Sequence, residues 1–88
     1  MEDYTLDPIK LGLLIKLKRQ SMGLSVRELA KITDITDKGL YTYEAGKTMY
    51  MAQWLKIKHA LNITDDELYR DMDGAIQRLW DLQNPLNN

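Results

Sequence analysis

Along the chain, apolar residues recur at three- and four-residue steps, and no segment keeps an apolar/polar alternation between hairpin turns. The pattern predicts an all-α protein. Pro8 suits the first turn of a helix, where its missing N–H would be unpaired anyway, and the apolar spacing runs to Met22 before Gly23 can end it. That stretch is helix one. Ser25 followed three residues later by Glu28 is a capping-box pattern, opening a short helix two with Leu29 and Ile32 as inward positions and an end near Ile32. Thr33-Asp34-Ile35-Thr36 reads as a tight connector, because Asp34 tolerates a left-handed backbone and Thr36 can cap the next helix. Helix three then runs from about Asp37 to Glu44, with Gly46 as its stop. Trp54, Ile57 and Leu61 resume helical spacing as helix four, and Thr64 to Glu67 is a second capping box that opens helix five. Leu68, Met72, Ile76, Leu79 and Trp80 carry the period past Gly74 to Leu82, so helix five either extends or breaks and restarts.

A chain of 88 residues with 44% hydrophobic and 28% charged residues has room for one core and is too apolar for a disordered tail. Without cysteine it has no disulfide, thiolate metal site or cysteine nucleophile. The longest apolar run, Leu11 to Ile15, is far too short to cross a bilayer, and Met1-Glu2-Asp3 is acidic where a signal peptide is basic. The expected location is the cytoplasm, with no membrane partner. A net charge of −1 argues at first against a polyanionic partner, but it hides a split. Residues 1–60 carry ten basic against seven acidic residues, whereas residues 61–88 carry two against six. An anion-binding face therefore belongs to the first two thirds.

Two short helices joined by a three- or four-residue turn, the second polar on its outer side, form the geometry that places a helix in the DNA major groove. The run from Leu11 to Leu68 adds Gly23-Leu24-Ser25, Glu28-Leu29-Ala30, Ile35-Thr36, Leu40, Glu44, Gly46-Lys47 and Ala60-Leu61-Asn62-Ile63-Thr64. In that order and spacing it resembles the helix-turn-helix domain of the phage repressor and Cro family, the XRE type, over about two thirds of the chain. The resemblance implies a five-helix repressor-like DNA-binding domain over residues 8–69, with an additional C-terminal helical segment over 70–88. It also implies an ion pair between Arg19, late in helix one, and Glu44, at the end of helix three. Two positions depart from the family pattern: Val26 stands where many members carry a phosphate-clamping Gln, and Asp34 replaces the usual turn glycine.

For base reading, the outer side of helix three offers Asp37, Lys38, Tyr41 and Thr42. Lys38 can donate to guanine, Tyr41 and Thr42 can reach base edges or a thymine methyl, and Asp37 can accept from cytosine or simply complement the helix dipole. For the DNA backbone, the candidates are Ser25, Arg27, Lys47, Thr48 and Tyr50, together with the N–H groups that begin helix two. The expected function is a small dimeric transcriptional repressor that reads a palindromic operator in double-stranded DNA.

Leu13, Leu14 and Leu17 point largely away from the helix-one face that matches the family core, and such an apolar stripe needs a cover. The segment bearing Met72, Ile76, Leu79 and Trp80 can supply it, within one chain or across a two-fold axis. The expectation here is a homodimer with this segment in the interface. The competing reading is a protein-binding module on the same fold, of antirepressor or antitoxin type, favoured by the net negative charge and by Val26, Asp34 and Asp37. A regulatory protein partner is compatible with both. No catalytic site, cofactor or metal site is expected. Ala45-Gly46-Lys47-Thr48 resembles the end of a phosphate-binding loop, but Tyr41 occupies the place of its upstream glycine. The single histidine, His59, has no cysteine or second histidine to form a ligand set.

Overall fold

A computed structural model describes residues 6–85. Its elements are α1 (Pro8–Ser21), α2 (Val26–Thr33), α3 (Asp37–Glu44), α4 (Met51–Ala60), a single π-helical turn (Asp66–Arg70) and α5 (Met72–Gln83). The described residues contain no strand, and no helix among them is long and apolar enough to cross a membrane.

Local chemistry sets the helix boundaries. The Asp7 carboxylate accepts the Ile9 N–H at 2.9 Å, and Pro8 takes the first helical position, where no N–H is needed. α1 ends in a paired return: Gly23 N–H reaches the Gln20 carbonyl at 3.0 Å and Leu24 N–H reaches that of Arg19 at 3.1 Å. α3 ends likewise, with Gly46 at φ 106° and Lys47 N–H returning to the Thr42 carbonyl at 3.1 Å. The α4 return is made with Asn62 at φ 53°, and Ile63 N–H reaches the Lys58 carbonyl at 3.0 Å. Leu24 and Ile63 are thereby folded back toward the core that the helices enclose.

Leu14, Ile15, Leu29, Leu40, Ile57 and Leu61 are fully buried at the centre of that core. In α2 the inward positions are Val26, Leu29, Ala30 and Thr33, at helical steps of three and four. Ile32, expected inward, is 60% exposed; Thr33 takes the buried place because its hydroxyl donates to the Leu29 carbonyl at 2.8 Å and needs no water. Met22 also lies outside the core, in the α1 cap.

The C-terminal periodicity breaks and restarts. Asp71 N–H returns to the Asp66 carbonyl at 3.1 Å, closing the π turn, and the Asp71 carboxylate then accepts the Gly74 N–H at 3.0 Å to start α5. α5 packs against α1 in the same chain. This corrects the expectation that Leu14 and Leu17 contribute to a dimer interface: both are buried within the chain. Met72, Ile76 and Leu79 are half-buried against the shared core, and Gln83 Nε2 donates to the Leu17 carbonyl at 2.9 Å. Of the residues expected at a dimer interface, Leu13 and Trp80 alone are exposed, and both line one shallow groove.

Candidate nucleic-acid interface

α2 and α3 form the two arms of a tight turn. Ser25 makes a complete capping box: its hydroxyl accepts the Glu28 N–H at 3.0 Å, and its own N–H donates to Glu28 Oε1 at 2.8 Å. The Ser25 N–H is thus used within the chain, while its hydroxyl proton can still be donated. These Ser25 groups hold the exposed Glu28 carboxyl below its ordinary range, so a negative charge sits beside the start of α2. Asp34, at φ 57° and ψ 36°, makes the reversal, and Ile35 N–H returns to the Ala30 carbonyl at 3.2 Å. Thr36 then caps α3 by accepting the Gly39 N–H at 3.0 Å.

The four base-reading candidates do not present themselves alike. Lys38 and Tyr41, one helical turn apart, are exposed. Thr42 is half-buried, and its hydroxyl donates to the Gly39 carbonyl at 2.7 Å, which leaves its methyl and a lone pair for a ligand. The Asp37 carboxylate lies 3.7 Å from Arg27 Nε. That contact joins a residue expected on phosphate to one expected on a base. Both groups are well exposed, so it contributes at most about 1 kcal/mol to stability, but it places a positive charge against Asp37.

Behind this face α3 is held at both its middle and its end. Leu40 is fully buried on the inner side. Arg19 Nε donates to Glu44 Oε2 at 2.7 Å and Nη2 to Oε1 at 3.0 Å, a two-pronged pair with side chains only 10% and 7% exposed. Arg19 Nη1 also donates to the Leu24 carbonyl at 2.8 Å, so one guanidinium ties α1, the α1–α2 connection and α3 together. Gly12 completes the junction, because a Cβ there would collide with the backbone carbonyls of Tyr43 and Glu44. In the sequence this role shows only as a glycine standing inside an apolar helical run.

The remaining backbone candidates, Lys47, Thr48 and Tyr50, sit in the α3–α4 connection and are all exposed. Arg27 is exposed as well. The charge split seen in the sequence becomes a set of ion pairs across the fold. Lys10 meets Asp73 at 2.9 Å, Lys18 meets Glu67 at 3.0 Å and Lys58 meets Asp65 at 3.3 Å, so acids beyond residue 60 are spent on cations of α1 and α4. Hydrogen bonding and charge from Asp73 push the Lys10 ammonium above its ordinary range. Among the described residues, no such partner lies within ion-pair distance of Lys31, Lys38 or Lys47. Among the described residues, the cations left without a carboxylate therefore include Lys31 on α2, Lys38 on α3 and Lys47 just after it.

Among the described residues, no three His, Cys, Asp or Glu side chains gather as a metal-ligand set. Comparison with protein-family models, curated proteins and solved structures finds no match to this chain.

Proposed function

We propose that the chain is a sequence-specific regulator of transcription that sets α3 in the major groove of double-stranded DNA and represses by excluding other proteins from the site. One observation carries the reading: α3 offers Lys38 and Tyr41 outward while Leu40 and Glu44 fix its inner side. A short rigid helix with a cation and an aromatic on its free face suits base-edge contact. Lys47, Thr48, Arg27 and the Ser25 hydroxyl would hold phosphates on either side, setting register without reading sequence. Two copies would read a palindrome, meeting along the edge of Leu13 and Trp80 that α5 leaves uncovered.

A second reading keeps the fold and replaces DNA by a protein partner, as in an antirepressor or antitoxin. Glu28, Asp34 and Asp37, three acids flanking the turn, favour it. Selection from a randomised duplex pool, followed by titration of the enriched duplex at two salt concentrations, separates the two. The DNA reading expects an enriched motif and a log–log salt slope of about −0.9 per phosphate neutralised. In that assay Lys38→Ala should relax base preference by about 1–3 kcal/mol, and Lys47→Ala should weaken all duplexes alike. Failure to enrich any motif, with no salt-dependent binding, supports the protein-partner reading instead.

A further inference from the structure

We propose that the groove beside the α3–α4 connection binds a small molecule with an apolar body and a single carboxylate. The groove encloses about 520 Å3, inside the range of about 300–1,000 Å3 usual for small-ligand sites. Leu11 of α1, Met51 and Trp54 of α4, and Tyr69 of the π turn line it, so three distant stretches of chain converge on one concavity. Met51 and Tyr69 are 68% and 58% exposed there, leaving apolar surface in water that a ligand body would cover. Methionine at the wall adapts to bodies of different shape, while Trp54 and Tyr69 supply flat faces.

The polar lining restricts the ligand further. Among the described residues, Lys47 is the one charged residue lining the groove, and Thr48 adds a hydroxyl. Among the described residues no acid lines it, and no carboxylate lies within ion-pair distance of Lys47. A cationic ligand would meet an ammonium with nothing to offset it, and a multiply charged anion would bring charge that nothing matches. One carboxylate on a hydrocarbon body complements both the charge and the walls. The site stands whether or not α3 meets DNA. Because Lys47 is also a proposed phosphate contact, an occupied groove would draw its ammonium away from a duplex.

Trp80→Phe leaves Trp54 as the only tryptophan, a reporter lining the groove. Decanoate, titrated without DNA and below its micelle concentration, should give a saturable change in Trp54 emission. Decanol, with the same body and no charge, should bind about tenfold more weakly, as should decanoate to Lys47→Ala, while Lys47→Arg should restore decanoate binding. Calorimetric titration of the unaltered chain should rank decanoate and decanol the same way. No saturable response, decanol binding as tightly as decanoate, or undiminished binding to Lys47→Ala would each overturn the proposal.

Discussion

The backbone of Gly12 in α1 meets the carbonyl of Tyr43 in α3 with no room for a side chain between them: a Cβ on Gly12 would stand 2.5 Å from that oxygen. The Glu44 carbonyl would be almost as near, at 2.7 Å. In an open helix, Gly→Ala stabilises by about 1 kcal/mol. Here the opposing atoms are backbone, so α3 must move, and Gly12→Ala should lower stability by about 1–3 kcal/mol. Urea unfolding of the two proteins checks this. An unchanged or raised midpoint would show that the helices do not meet so closely.

Arg19 and Glu44 form the second brace of the same junction. Removing one partner strands a charge in a nearly closed site, so Glu44→Ala should cost about 3–5 kcal/mol. Replacing both by apolar residues, as Arg19→Met with Glu44→Leu, should cost much less than the two single changes together. A double-mutant cycle in urea measures the coupling. Additive losses would mean that the pair contributes little.

Acid should loosen the fold through Glu67. Burial works to raise its carboxyl, but the Thr64 N–H and the Lys18 ammonium outweigh that effect and hold it below its ordinary value of 4.5. A carboxyl lowered by folding contributes stability that is fully present above 4.5 and is lost as pH falls through the depressed value. Glu28 shifts in the same direction. Stability measured from neutral pH downward should therefore decline below that range, and Glu67→Gln should flatten the decline. An acid limb identical in the two proteins would contradict the assignment.

What the sequence made legible follows from the range of the interactions involved. The start of α3 and the two capping boxes rest on groups three residues apart, so short motifs announce them. The packing of α5 on α1 was open to two readings, because an apolar stripe does not say whether its cover comes from the same chain. The restart at Asp71 is equally open in the sequence, since Gly74 marks a weak point without placing the break; the aspartate itself ends one turn and caps the next. The pattern favours Ile32 over Thr33 because a hydroxyl satisfied by its own helix behaves as an apolar group, which composition alone does not reveal. For the site, periodicity picked out the outer face of α3, but the Arg27–Asp37 contact across the turn depends on tertiary geometry.

The proposed homodimer should depend on the uncovered edge of Leu13 and Trp80, since Leu14 and Leu17 are already buried. Trp80→Glu should shift sedimentation equilibrium toward the monomer and leave the helical circular dichroism unchanged. An unaltered association constant would move the interface elsewhere on the molecule.

The proposed function makes the outer side of α3 the surface that meets DNA. Amide chemical-shift mapping during titration with the selected duplex tests it residue by residue. Perturbations should centre on residues 37–42, with a second set at 25–27 and 47–50, and should leave the core amides of α5 in place. Perturbations confined to α4 and α5, or none at saturating duplex, would contradict it.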